Sequence, residues 1–237
     1  MIKDAIEKIE QMAAVTHHFF SGRGYTNKPI HPVMEPTAAK ISIDTLTGLV
    51  DYLNANVDNL TSSGLIIHVA SFQCVDLLSA LISPWKQRET FIRVECDTLK
   101  FPFGQFMNVE SFVIRLQSQF VQDENTAMLL KIVGNVSDSV VKQFSDDGIT
   151  QQATVKTGVS RVENVAVPNP VTLAPYRTFL EIDQPISKFV FRMRSGSPNE
   201  APTCALFEAD GGMWEKEAIE RIKNWIKERI TDIPIIA

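Results

Sequence analysis

The sequence predicts an α+β fold, in which a mostly antiparallel sheet carries a central helical pair and a C-terminal amphipathic helix. Two consecutive helical patterns fill residues 106–136, and strand-like runs flank them on both sides. A second strong helical pattern occupies residues 212–230 near the end of the chain. The links between the strand-like runs are too short to connect parallel strands. We therefore expect one sheet of around eight strands with the three helices packed on it.

The length of 237 residues suits one large domain, which we place at residues 38–237 after an N-terminal helix and arm at 1–37. Residues 2–20 carry apolar side chains at three- and four-residue steps, which predicts a helix. Gly22 and Gly24 can take the left-handed conformation that ends such a helix. Three prolines then follow and predict an irregular arm.

Short strand-like runs precede the helical pair. Residues 39–43 predict a strand, and Asp44 is expected to cap the helix that follows it. Three further strands are predicted at residues 65–71, 74–81 and 90–96. The last of them alternates polar and apolar side chains, as a half-buried strand does.

The helical pair has clear start signals. Asn108 is the expected N-cap of the first helix and Asp123 that of the second. The link between them is only a few residues long, so the two helices should run nearly antiparallel.

After the helical pair the apolar period returns to two. A three-stranded meander is predicted at residues 139–145, 149–156 and 162–167, with a turn at Asp147 and Gly148. Residues 168–179 contain several prolines and predict an edge strand or loop. A strand at 188–194 should pair with one at 203–209.

The last helix has Asp210 as its expected cap and ends before an apolar tail, IPIIA. Its buried stripe is expected to include Trp214, Ile222 and Ile226. The tail and the proline-rich arm favour contacts with a partner, and we therefore expect a homo-oligomer.

Composition excludes several classes of protein. The apolar fraction of 44% and the charged fraction of 22% are ordinary for a globular protein. A net charge of −5 argues against duplex DNA as a partner. The N-terminus lacks the apolar core of a signal peptide, and no apolar run approaches the roughly 20 residues that span a bilayer. The three cysteines are far apart and predict reduced thiols in a cytoplasmic protein.

Several local patterns of the chain occur together. They are FMNVESFVIRLQSQF followed by DENTAMLLKIVGNV, then VTLAPYRTFLEIDQPISKFVFRMRSG, and TLTGLVDYLNAN near the start. These patterns resemble the YfdQ-like family of phage and prophage proteins, whose function is not assigned. Together they span roughly residues 38–230, and it is their order that carries the resemblance. The resemblance implies a phage origin and a setting in the host cytoplasm. It supplies no reaction and no catalytic residue.

The sequence contains no catalytic or metal-binding motif that we recognise, which favours a protein that is not an enzyme and needs no cofactor. The four histidines show no HxH or HExxH spacing, and no GxSxG elbow, Walker loop or dinucleotide fingerprint is present. His17 and His18 are adjacent and would point to different faces of a helix. Cys74 and Cys96 lie among apolar residues, which predicts inert thiols.

Two stretches are candidate ligand sites. Lys188, Arg192 and Arg194 share one strand face, and Tyr176 with Arg177 lie upstream, so strand pairing would give a basic, aromatic-edged surface. Guanidinium groups bind phosphates and tyrosine stacks on bases, although a solvated strand face is the plainer interpretation.

The second stretch is SGRGY at residues 21–25. Its glycines, Arg23 and Tyr25 could form a small anion-binding loop. The alternative is a helix end with a surface arginine.

Three functions are compatible with these observations. The first is a non-catalytic phage accessory protein that binds a host component or a small anionic ligand, such as a nucleotide signal used in antiviral defence. The second is a structural or assembly oligomer. The third is an accessory of phage DNA metabolism that binds single-stranded nucleic acid through the basic strand face.

Overall fold

The computed structural model describes residues 2–20, 23–28, 37–82, 86–137, 144–146, 151–157, 161–167, 169–194 and 202–237. The chain divides into two compact units, Met1–Ala38 and Ala39–Ala237. The predicted α+β class is confirmed, because the helices accompany sheets in which most neighbouring strands are antiparallel. The predicted single sheet of about eight strands is wrong, because the strands of the second unit belong to separate sheets.

Within the described residues the helices are α1 (Ile2–Ala13), α2 (Leu46–Ala55), α3 (Val109–Gln119), α4 (Glu124–Ser137) and α5 (Met213–Lys227). The first strands in the described ranges are β1 (His17–Phe20), β2 (Arg23–Thr26), β3 (Ile41–Ile43), β4 (Leu65–Ser71), β5 (Cys74–Ser79), β6 (Thr90–Glu95) and β7 (Met107–Asn108). The later ones are β8 (Phe144–Asp146), β9 (Gln151–Thr157), β10 (Arg161–Val167), β11 (Val171–Leu173), β12 (Ser187–Arg194), β13 (Thr203–Glu208) and β14 (Ile235–Ile236).

The N-terminal unit contains a helix followed by a hairpin. The predicted helix over residues 2–20 is wrong in its last part, because His17–Phe20 form β1 and pair antiparallel with β2. The two adjacent histidines therefore lie on a strand, and Gly24 lies within β2 instead of ending a helix. Ser21, Gly22 and the proline-rich arm lie outside the described residues.

Asn27 explains why α1 ends early. Its Oδ1 accepts a hydrogen bond from Thr16 N at 2.9 Å, and its Nδ2 donates to Ala14 O at 3.1 Å. These bonds occupy backbone groups that a longer helix would use. Val15 and Thr16 are β-branched and weaken helix propensity at the same point.

The second unit opens with a five-stranded sheet in the order β14-β4-β5-β6-β3. The predicted antiparallel order of the three long strands is confirmed, since β4 pairs with β5 and β5 with β6 in that sense. The helices α2 and α5 cover this sheet, and their buried side chains include Leu46, Leu49, Ile222 and Ile226. Thr45, and not Asp44, caps α2, because Gly48 N donates to Thr45 Oγ1 at 3.1 Å.

The apolar C-terminal tail packs on its own chain. Ile235–Ile236 pair in parallel with β4, and Ile67 N donates to Pro234 O at 2.9 Å. Ile233 is buried in the core of the same sheet. The tail therefore gives no support to the expected oligomer.

A four-stranded antiparallel sheet in the order β11-β12-β13-β7 carries the helical pair. The N-cap predicted for α5 is wrong, because Gly212 and not Asp210 holds that position. Both N-caps predicted for the helical pair are confirmed. Ser111 N donates to Asn108 Oδ1 at 2.7 Å, and Thr126 N donates to Asp123 Oδ1 at 2.8 Å. The predicted pairing of β12 with β13 is also confirmed. The core between helices and sheet is rich in phenylalanine, and its fully buried rings are Phe112, Phe120, Phe189 and Phe191.

The predicted meander forms a three-stranded antiparallel sheet in the order β10-β9-β8. Residues 139–143 of its first predicted strand lie outside the described residues. The turn expected at Asp147 and Gly148 lies outside the described residues. The proline-containing segment supplies β11, which is the edge strand of the four-stranded sheet, as predicted.

Candidate ligand-binding pocket

The segment Pro175–Arg177 runs beside the end of α3 and brings Arg177 into the interior. Tyr176 N donates to Gln119 O at 2.9 Å, and Phe120 bridges to Pro175. On its other side the backbone is fixed by the buried amide of Gln184. Its Oε1 accepts from Arg177 N at 3.0 Å and from Thr178 N at 3.3 Å. The backbone around Arg177 is thus fixed by hydrogen bonds to Gln119 on one side and to Gln184 on the other.

The guanidinium of Arg177 is buried and only partly paired. The residue is 8% exposed. Its Nη1 donates to Glu208 Oε1 at 2.6 Å and its Nη2 donates to Ser187 Oγ at 2.7 Å, while Nε makes no hydrogen bond. The guanidinium carbon also lies 4.0 Å from the centre of the Trp214 ring. Arginine stacking of this kind is attractive because the ring face is electronegative.

Burial lowers the pKa of Arg177 from its usual value, and the neighbouring carboxylates of Glu208 and Asp210 act in the opposite direction. The guanidinium still carries its charge at neutral pH, because the usual pKa of arginine is so high. The side chain is therefore a fixed buried cation.

Beside Arg177 lies an open cavity of about 230 Å³. Its aromatic lining consists of Phe72, Phe101, Phe103, Tyr176 and Trp214. Its polar lining consists of Gln73, Thr98, Lys100, Gln119, Arg177 and Glu208. We call this cavity the Arg177 pocket. It is smaller than the roughly 300 Å³ at which sites for drug-sized ligands begin, so it fits a single ring system.

The charges around the pocket differ in accessibility. Lys100 is exposed to solvent, so its ammonium group is accessible to a ligand. The Glu208 side chain is 41% exposed and contacts Arg177 through one carboxylate oxygen. A carboxylate or phosphate can bind a guanidinium through two parallel hydrogen bonds, which is the stronger arrangement.

Gln119 is the other buried polar side chain of the pocket. It is 8% exposed at the end of α3, and its Oε1 accepts no hydrogen bond. A buried acceptor without a donor costs roughly 1–3 kcal/mol. Such a group in a native fold calls for an explanation.

Two of the residues predicted as ligand-binding, Tyr176 and Arg177, line this pocket. Lys188, Arg192 and Arg194 do not join them, because they lie on the opposite face of β12 from the Ser187 and Phe189 side chains that Arg177 contacts. The structure therefore divides the expected basic surface between two faces of one sheet. The face of β12 that carries Lys188, Arg192 and Arg194 is called the outer face, and the face that Arg177 contacts is called the inner face. On the outer face the guanidinium of Arg194 lies 3.8 Å from the centre of the Phe106 ring.

Arg23 and Tyr25 belong to β2 of the N-terminal unit, where Tyr25 pairs with His18 and Arg23 with Phe20. Tyr25 is 52% exposed. The side chain of Arg23 lies outside what the structure describes.

Sequence reasoning missed the other residues of the pocket, among them Gln119, Glu208 and Trp214. Gln119 lay within a helix and carried no motif, and Glu208 lay in a strand predicted only as the partner of β12. Trp214 was assigned to the buried stripe of α5, where it does lie, but its ring also forms a wall of the pocket. No local signal marks these residues, because Gln119, Arg177 and Trp214 are far apart in the chain.

Of the three free cysteines, Cys204 is buried, whereas Cys74 and Cys96 are half-buried. Burial raises the pKa of Cys204 to about 12 and that of Cys96 to about 11, and it also raises the pKa of Cys74. A thiol with a raised pKa is a poor nucleophile at neutral pH. In the part of the chain that the structure describes, no group of three or more His, Cys, Asp or Glu residues could hold a metal ion.

Comparison with known proteins gave no match. No family model, no curated protein and no solved structure matches the chain. None of the helices in the described ranges is long and apolar enough to cross a membrane.

Proposed function

We propose that this protein is a non-catalytic binding protein that holds a small anionic ligand with a planar ring in the Arg177 pocket. The observation that carries the proposal is the buried guanidinium of Arg177 at the wall of an aromatic cavity. Aromatic walls stack on a flat ring, and the cations supply the attraction for an anionic substituent. A nucleotide combines both features.

The polar groups of the pocket suit binding better than reaction. Arg177, Lys100 and Gln119 offer a guanidinium, an ammonium and an amide, which orient a ligand without attacking it. Glu208 is held in an ion pair with Arg177. These features support the proposal that the pocket binds its ligand without transforming it.

The biological setting is part of the same proposal. The resemblance to the YfdQ-like family favours a phage accessory protein in the host cytoplasm. There it would sequester a nucleotide signal of antiviral defence or engage a host component. An anionic ligand in the Arg177 pocket is what such a sequestering protein requires.

A ligand screen tests the proposal directly. Thermal shift and titration calorimetry with mono-, di- and cyclic nucleotides should find a ligand that stabilises the protein. Lys100→Glu places a negative charge at the exposed rim of the pocket and should weaken that ligand at least about tenfold. Lys188→Glu makes the same change on the outer face of β12 and is the matched control. Stabilisation by none of the nucleotides would remove the proposal.

A second candidate is binding of single-stranded nucleic acid on the outer face of β12. The stacking of Arg194 on Phe106 favours it, because Lys188, Arg192 and Arg194 then lie beside an aromatic ring. Stacking and phosphate contacts together hold single strands, and such binding weakens as salt rises. For this candidate Lys188→Glu is the test variant and should abolish a gel shift at low salt. Lys100→Glu is the control and should leave the gel shift unchanged.

The expected homo-oligomer, and with it the structural or assembly function, stays a proposal. In α1 the side chains of Ile2, Ile6, Ile9 and Met12 are all exposed, between 52% and 80%. An exposed apolar stripe of this kind is typical of a contact surface. Light scattering of wild type and of an Ile6→Asp, Ile9→Asp variant would test it, and a wild-type mass equal to one chain would refute it.

A further inference from the structure

Two buried glutamines lie near Arg177, and the fold treats them differently. Gln184 is 7% exposed and uses both ends of its amide. Its Oε1 accepts from two backbone N–H groups, and its Nε2 donates to Phe179 O at 3.0 Å. Gln119 is equally buried, but its Oε1 accepts no hydrogen bond. The fold is thus able to satisfy a glutamine in this region and leaves one unsatisfied.

The unsatisfied glutamine is the one that lines the Arg177 pocket. Gln184 does not line it, and its hydrogen bonds serve the backbone. Gln119 Oε1 is also closed off from water, so solvent does not replace the missing donor. An apolar side chain of the same size would fill this position without leaving an acceptor unpaired. Among the described residues no donor reaches Gln119 Oε1, so the amide at this position calls for an explanation.

We infer that Gln119 Oε1 accepts a hydrogen bond from an exocyclic amino group on the ring of the ligand. The inference rests on the proposed function, because it places the ring of that ligand in the Arg177 pocket. It narrows the ligand class to heteroaromatic rings that carry an amino group, together with an anionic substituent. Binding must also move the side chains that now seal Oε1 from solvent.

The backbone couples the two polar contacts of such a ligand. Tyr176 N donates to Gln119 O, so the residue before Arg177 is tied directly to the backbone of Gln119. The amide of Gln119 and the guanidinium of Arg177 therefore belong to two segments that one backbone hydrogen bond joins. A site built to satisfy a ligand donor rejects analogues that lack it, because the protein group then stays buried and unpaired.

The first arm of the test measures binding by calorimetry. AMP, GMP and CMP are each compared with the analogue in which hydrogen replaces the exocyclic amino group. For the nucleotide that binds, we expect the analogue to bind at least about tenfold more weakly to the wild type. In Gln119→Met the amino group should confer no advantage, because the acceptor is gone.

The second arm needs no ligand. Gln119→Met keeps the length of the side chain and removes the unpaired acceptor, so the free protein should melt about 2–4 °C higher. Gln117→Met, at an exposed position of the same helix, is the matched control and should leave the melting temperature unchanged. A lower melting temperature for Gln119→Met would show that the amide serves the fold, and would overturn the inference.

The two arms separate the possible failures. Equal binding of a nucleotide and its analogue would overturn the role of Gln119 and leave the proposed function intact. Binding by none of the six compounds, when another nucleotide of the thermal-shift screen does bind, would overturn the inference alone. Binding by none of the screened nucleotides would reject the proposed function, and the inference with it. Loss of the amino preference in Gln119→Met, together with a raised melting temperature, is the result that supports both.

Discussion

Two arginines on opposite faces of the four-stranded sheet show how differently the same side chain can be used. Each stacks on an aromatic ring, Arg177 on Trp214 at 4.0 Å and Arg194 on Phe106 at 3.8 Å. Arg177 is 8% exposed and also bonded to Glu208 and Ser187, whereas Arg194 is exposed. A buried charge depends on each of its partners, while an exposed one is solvated without them. The inner arginine is therefore part of the fold, and the outer one is replaceable.

The largest difference is expected from removing each arginine. Arg177→Met should lower the free energy of unfolding by roughly 2–4 kcal/mol, because Ser187 loses its donor and the aromatic rings lose the cation. Arg194→Met, the control on the outer face, should cost less than about 1 kcal/mol. Urea unfolding of both variants measures this. Equal losses would mean that the two faces do not differ as described.

A smaller effect is expected from Glu208, the anionic partner of Arg177. Glu208→Gln leaves the buried guanidinium with a neutral partner and should cost about 1–2 kcal/mol, since the carboxylate itself is partly solvated. The control is Glu217→Gln, which breaks the more exposed pair with Arg221 and should cost less than about 0.5 kcal/mol.

The same Glu208→Gln variant sharpens the proposed function. If an anionic ligand binds Arg177, it competes with Glu208, and removing that carboxylate should tighten binding in calorimetry. A lower affinity of Glu208→Gln for the ligand would contradict competition between the ligand and Glu208 for Arg177.

The thiol of Cys204 provides a test of whether water reaches the inner face of the four-stranded sheet. Burial raises the pKa of this thiol from 9.0 to about 12, so the native state keeps the proton that the unfolded state releases above pH 9. This contribution to stability is complete below pH 9 and is lost as the pH rises from about 9 toward 12. The loss reaches roughly 1.4 kcal/mol at pH 10. Melting curves of wild type and Cys204→Ala between pH 8 and 10.5 should show the weaker alkaline loss in the variant. An identical pH dependence would place water beside this thiol.

The smallest effect on stability belongs to the outer face. A Lys188→Gln, Arg192→Gln, Arg194→Gln variant should change the free energy of unfolding by no more than about 1 kcal/mol. Any binding of single-stranded nucleic acid should disappear with these charges, and its salt dependence with it. If the variant still binds single-stranded nucleic acid, the binding surface is not the outer face of β12.

Local elements were predicted well where the signal was local. The caps Asn108 and Asp123 were identified correctly, because an N-cap side chain bonds a backbone N–H only three residues away. Residues 17–20 were predicted wrongly as helix, because Asn27 bonds back to residues 14 and 16 and ends the helix from outside it. The helix pattern itself contains no trace of that contact.

The candidate site was predicted only in part for the same reason. Tyr176 and Arg177 stood out by residue type, and both line the pocket. The basic surface expected from Lys188, Arg192 and Arg194 excludes Arg177, because the fold places that side chain against the inner face of β12. Alternation along β12 fixed which residues share a face, but not which face the preceding segment would meet.

The sequence by itself determined the α+β class, the positions of the helices α2 to α5, and the alternating faces of β12. These depend on hydrophobic periodicity and on capping bonds that span a few residues. Only the tertiary structure decided that the strands form separate sheets, that the C-terminal tail pairs with β4, and that Gln119, Arg177 and Trp214 meet at one cavity. These outcomes depend on contacts between residues distant in the chain, and the free energy of such contacts is set by burial that no short stretch of sequence encodes.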